Sequence, residues 1–202
     1  SQSAAFEVNF ERKPIKQAWL AHSQVNFCAT AFATVPMDHQ DSAALVVLGN
    51  VLRNGYLHRT IREQGGAYGG GASQDNSNGV FRFYSYRDPR LEGTLTDFEQ
   101  SLEWLQSQSH SWQVIEEGIL GVVSSLDAPD SPAGGCKRDF HARLAGRDFD
   151  KRQRFRDRLL AVTEQDLKRV ANTYLTPEND NTAVITYKGV DANLSDFDVI
   201  EL

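Results

Sequence analysis

The apolar residues of this chain alternate over some stretches and recur at helical spacing over others, and the switches between the two patterns mark out its elements. Lys16 to Pro36 alternates and then runs apolar through Val25, Phe27, Ala29, Ala31 and Phe32. This predicts one or two strands of a sheet with a covered face, closed by Pro36. Ala44, Leu48, Val51 and Leu52 then recur at helical spacing, and Leu57 and Ile61 continue the stripe beyond Asn54-Gly55. A helix from about Asp41 to Gln64 follows, with Arg62 in its last turn and Gly65-Gly66 ending it. Ala67 to Arg87 reads as a hairpin turning at Asp75-Asn76-Ser77-Asn78-Gly79. In its second strand Val80, Arg82, Tyr84 and Tyr86 face one side and Phe81, Phe83 and Ser85 the other, until Asp88-Pro89 stops it.

The second half is helical by spacing. Leu91 to Gln106 places Leu95, Phe98, Leu102 and Leu105 on one face, and a further helix runs from an N-cap at Ser111 through Ile115, Ile119, Val122 and Val123 to Leu126. Asp127 to Gly135 is rich in Pro, Gly, Ser and Asp and reads as loop. Helical segments resume near Cys136 to Leu144 and Lys151 to Leu160. The last helix is capped by Thr163, carries Glu164 and Asp166 in its first turn, and buries Leu167, Val170 and Tyr174. Thr182 to Tyr187 is β-rich and returns to the sheet. The order strand, helix, hairpin, helices, strand predicts an α+β two-layer sandwich, a mostly antiparallel sheet with helices on one face.

At 202 residues the chain fits one domain, 1–202, able to bury a substantial core. It is 40% hydrophobic and 24% charged, with no apolar run near membrane-span length, which argues against a membrane partner. The start, Ser1-Gln2-Ser3-Ala4-Ala5-Phe6-Glu7, has no basic segment leading into an apolar one and no initiating Met, so it reads as a piece of a longer protein without a secretory signal. A net charge of −6 argues against nucleic acid. Cys28 and Cys136 have neither metal nor disulfide spacing and read as reduced thiols, pointing to a cytoplasmic or organelle-matrix setting.

Candidate chemistry concentrates in Ile61-Arg62-Glu63-Gln64-Gly65-Gly66-Ala67-Tyr68-Gly69-Gly70-Gly71. An arginine and a tyrosine stand at the two ends of a glycine-permitted turn, and Gly69, Gly70 and Gly71 remove side chains where another backbone could approach. Arg62 offers five fixed donors and Tyr68 a phenol proton, a pair suited to gripping a peptide backbone and a developing oxyanion. Spacing alone is equally met by a helix C-terminal cation and a strand tyrosine packed on the sheet. The glycines lack the spacing of a phosphate cradle and lead from helix to strand, the wrong direction for one.

The same segment resembles the arginine-tyrosine segment of the M16 (pitrilysin, or insulinase-type) zinc metallopeptidases, most closely the presequence protease branch. A looser resemblance extends through Asn78 to Pro89 and the strand Ala183-Val184-Ile185-Thr186. It implies an M16 domain of the LuxS-metallohydrolase-like α+β type, the C-terminal domain without the zinc motif. The intact enzyme would close a chamber around short unstructured peptides, with Arg62 holding the substrate backbone and Tyr68 contacting the scissile carbonyl. Zinc would be held by another domain, and this chain alone would be inactive, its partners being peptides and the other domains of the same protein. The alternatives are a catalytically inactive M16-like module that binds peptides or scaffolds an assembly, and an unrelated ligand-binding domain.

His22, His39, His58, His110 and His141 are scattered, without His-x-x-Glu-His or His-Glu-x-x-His spacing. Between Lys137 and Arg158, nine Lys/Arg stand against four Asp/Glu, a local excess of +5 that leaves −11 on the remainder. Such a segment is either a solvated helical face or a contact for an acidic neighbouring domain, the first being the simpler.

Overall fold

Alternation along the strands sets the plan of the molecule, seen here in a computed structural model that describes residues 13–202 apart from 145 and 147. The stretch read above as lacking a secretory signal lies outside the described residues. β1 (Lys16–Leu20), β2 (Asn26–Ala33), β3 (Gly69–Asp75), β4 (Val80–Asp88), β5 (Asp180–Thr186) and β6 (Asp198–Glu201) form one sheet in the order β3, β4, β2, β5, β1, β6. β2 pairs antiparallel with β4 and β5, and β3 with β4, while β1 runs parallel to β5 and β6. The sheet is therefore mixed and mostly antiparallel, as the element order predicts, and the fold is α+β.

One face of the sheet is the core. Cys28, Phe32, Phe81, Phe83, Ala72 and Val184 are buried there, while their strand neighbours Phe27, Tyr86 and Ile185 on the other face are exposed. Phe83 is central: its ring packs edge-on to Phe32 and Phe81 and stacks on Phe98 at 5.4 Å between centroids. Two pairs of polar groups on this face are satisfied across strands, Thr30 with Thr182 at 2.9 Å and Thr186 with Asn26 at 2.7 Å.

The helices cover that face. α1 (Ser42–Leu52) buries Leu45, Val47, Leu48, Val51 and Leu52, then continues as a π-helical segment, Arg53–Gln64, that buries Leu57 and Ile61. The predicted stripe holds, but the helix is wider in its second half than the sequence periodicity suggests. α2 (Glu92–Ser107) buries Phe98 and Leu105, and α3 (Trp112–Leu126) buries Ile115, Ile119 and Val122. Ser111 begins α3 without a side-chain cap bond.

The expected loop 127–135 is shorter than its composition implies. α4 (Pro132–Leu144) starts inside it, because proline costs nothing in the first helical turn and Ser131 Oγ accepts from the Gly134 amide at 3.1 Å. α5 (Phe149–Leu160) is capped by Asp148, and α6 (Glu164–Tyr174) by a reciprocal Thr163–Asp166 box. Leu167 and Val170 are buried as expected, whereas Tyr174 is half-buried and spends its hydroxyl on Asp41. β6, an edge strand beside β1, carries no alternation that the sequence reading caught. No helix among the described residues is long and apolar enough to cross a membrane.

Candidate functional site

Arg62 stands in the last turn of the π-helical segment with its side chain exposed. The turn out of that helix closes tightly: the Gly65 and Gly66 amides donate to Arg62 O, and the Ala67 amide to Ile61 O at 3.1 Å. Gly66 adopts φ 81°, a left-handed value that glycine takes at no cost, so the reversal is written into the sequence. Ala67 turns inward and is buried, which leaves Tyr68 pointing out with 66% of its surface exposed.

Two neighbours brace Tyr68. Its ring lies 5.7 Å from that of Tyr86, and the guanidinium of Arg87 sits 5.7 Å above its centroid. The Tyr68 amide donates to Arg87 O at 3.3 Å. Arg87 has φ 49°, in the left-handed region that a bulky residue rarely visits. The cause is a bulge: Asn26 pairs with Asp88 but Cys28 with Ser85, so Phe27 alone faces both Tyr86 and Arg87. The extra residue on β4 turns Tyr86 and Arg87 toward Tyr68. Sequence reasoning placed Tyr86 on the right face of its strand but missed both residues as parts of the site, since a bulge leaves no mark in an alternating pattern.

The glycines after Tyr68 have reasons inside the chain. A Cβ at Gly69 would lie 2.5 Å from Tyr86 Oη, one at Gly70 2.9 Å from Ile61 Cγ2, and one at Gly71 3.0 Å from Arg53 Cγ. Their missing side chains admit the chain's own residues. The backbone of β3 is nonetheless an edge, hydrogen-bonded within the sheet to β4 on one side.

Among the described residues no group of three or more His, Cys, Asp or Glu side chains is placed to hold a metal ion. The zinc implied by the resemblance therefore finds no ligand set among the described residues. His58 lies 3.5 Å from Glu63 on the same helix and is half-exposed. Burial pushes the Cys28 thiol up to about 12, which makes it a packing residue, while Cys136 is exposed on α4. The basic excess is answered largely within the molecule: Arg156 pairs with Asp127, Arg138 with Asp130, and Lys151 with Asp38, acids that all lie outside the segment. Arg158 spends its donors on the carbonyls of Met37, Asp38 and His39.

A mixed sheet with one helical layer, and this helix-turn-strand at its edge, is the architecture of an M16 peptidase domain. The chain superposes on a protease from Helicobacter pylori with a TM-score of 0.74 at 16% identity, over 92% of this chain and 48% of that one. It superposes on a peptidase M16 inactive domain from Pseudomonas fluorescens with a TM-score of 0.73 at 16% identity, over 92% and 46%. Within that class, the chain belongs to the PreP C-terminal domain family, whose model matches residues 16–187. It is 43% identical over 153 residues to the mitochondrial presequence protease of Yarrowia lipolytica, covering 75% of this chain and 15% of that protein. To the mitochondrial presequence protease of Xenopus laevis it is 39% identical over 171 residues, covering 79% and 16%. The chain thus spans 16% of the length of the frog relative.

Proposed function

We propose that this chain is one domain, the non-zinc C-terminal domain of an M16 metalloendopeptidase that degrades short unstructured peptides in a closed chamber. The observation that carries the reading is Tyr68, exposed but braced by Tyr86 and Arg87 at the end of the helix that bears Arg62. A tyrosine exposed for packing alone needs no such support. A phenol that must meet a developing oxyanion does, because a donor fixed in advance costs no reorganisation during reaction. Arg62 supplies guanidinium donors for substrate carbonyls. The edge of β3, through the backbone of Gly69, Gly70 and Gly71, takes the peptide as an added strand. Zinc would be held by residues of another domain, where it would supply Lewis-acid activation of water, and the relatives' names favour a mitochondrial compartment.

The test is turnover of a fluorogenic unstructured peptide by the zinc-loaded parent protein. Tyr68→Phe lowers kcat by roughly a hundred-fold with the thermal midpoint unchanged, the usual cost of one lost oxyanion donor. An active parent indifferent to the substitution sinks the role. A second reading is an inactive peptide-binding module; the Pseudomonas neighbour, a peptidase M16 inactive domain, is compatible with both. A parent inactive with and without the substitution, yet binding peptide, establishes it.

A further inference from the structure

Gly65 presents a contradiction that leads to a further residue. Its backbone is ordinary right-handed helix, φ −82° and ψ −21°, a conformation any residue adopts, so freedom of rotation does not explain a glycine there. Space does: a Cβ at this position would lie 2.0 Å from Nη2 and 2.4 Å from Cζ of Arg90. The guanidinium of Arg90 sits against the turn between Arg62 and Tyr68. Its Nη2 donates to Thr60 O at 3.2 Å, two residues before Arg62, and to Asp97 Oδ2 on α2 at 2.7 Å. Asp97 is 8% exposed. The last carbonyls of a helix have no partner within it, and three of them find one here: Arg62 O and Ile61 O take amides of the turn, and Thr60 O takes Arg90.

Arg90 is held at its other end as well. Its amide donates to Asp88 Oδ1 at 2.9 Å, Thr94 donates to Asp88 Oδ2 at 2.7 Å, and Asn26 donates to Asp88 O at 3.1 Å. Asp88 follows Arg87, the residue that braces Tyr68. One group of side chains thus grips the helix end before Arg62 and the strand end behind Tyr68.

We propose that Arg90, held by Asp97 and seated on Gly65, is the positioning residue that fixes the turn between Arg62 and Tyr68 and so sets their relative placement for substrate. This rests on the reading of that pair as the substrate contact. Both bonds leave one nitrogen, Nη2, and the rest of the guanidinium fills the space beside Gly65, which the slimmer ammonium of a lysine would leave open.

The experiment uses Arg90→Lys and, by an independent route, Gly65→Ala, which the backbone accepts but the guanidinium does not. Hydrogen exchange is read on this chain, and peptide turnover on the zinc-loaded parent. Both variants speed exchange at the Gly66 and Ala67 amides about ten-fold or more, while amides of β2 and β5 keep their protection. Each also lowers kcat/KM about ten-fold, and that loss disappears when Tyr68 is already Phe, the signature of action through the pair. Unchanged exchange at Gly66 and Ala67, or an equal loss of protection throughout the sheet, overturns the proposal, as does a turnover loss that persists undiminished in the Tyr68→Phe background. Local loosening with full turnover refutes the substrate role of the turn instead, so the two failures are told apart.

Discussion

Asp41, at the start of α1, is shut away from solvent and still ionised. Burial alone would raise its carboxyl, but the Arg169 guanidinium at 2.8 Å and the Tyr174 hydroxyl at 2.8 Å outweigh that and hold it below the usual carboxylate range. Burial and the same carboxylate push the Tyr174 phenol up to about 12. A carboxyl with a lowered folded pKa contributes stability that is full above the unfolded value of roughly 4 and lost as pH falls through the folded one. Urea midpoints measured from pH 7 down to pH 3 should therefore fall, and Asp41→Asn should be less stable at pH 7 with a flatter acid limb. An acid limb of wild-type steepness in the variant would assign acid sensitivity to other groups. The site follows the same logic at the residue scale: Tyr68 is legible as a residue, but its orientation comes from Tyr86 and Arg87, eighteen residues and more along the chain.

Among the elements, α6 is specified by its own sequence, while α4 is tied to α5 by the Arg152–Asp139 ion pair and not by buried packing. Thr163 Oγ accepts from the Asp166 amide at 3.3 Å, and the Asp166 carboxylate accepts from the Thr163 amide at 3.1 Å, so two donors at the start of α6 are satisfied locally. Thr163→Ala should cost about 1 kcal/mol of stability in urea unfolding, with the slope unchanged. A loss below a few tenths would mean that packing of Leu167 and Val170 alone holds the helix start. α4 buries none of its residues and leaves Phe140 60% exposed and Leu144 69% exposed. Its backbone should exchange hydrogen much faster than that of β2, because little packing is lost when it opens.

For the molecule as a whole, stability is concentrated between the sheet and the helices that cover it. Phe83 touches three other rings there, and Phe83→Ala should cost about 3–5 kcal/mol, by lost transfer energy and the cavity left behind. Phe140→Ala, on the exposed helix, should change stability by less than about 0.5 kcal/mol. Equal effects of the two substitutions in chemical denaturation would contradict this distribution of the core. The charge pattern also resolves at this scale: a run that reads as strongly basic in sequence meets Asp38, Asp127 and Asp130 in space.

The sequence by itself determined the elements with a period and the turns with a chemistry. Alternation in β2 and β4, the stripe from Ala44 to Ile61, the Thr163 box and the Gly66 reversal each depend on neighbours a few residues away, and so can be read along the chain. From the same local wording came Arg62 and Tyr68 and the likeness to a peptidase family. Only the tertiary structure decided the bulge at Arg87, the parallel edge strand β6 and the seat of Arg90 on Gly65. These arise where segments distant in sequence compete for the same space and hydrogen bonds, and no pattern of period two or 3.6 records the outcome of that competition.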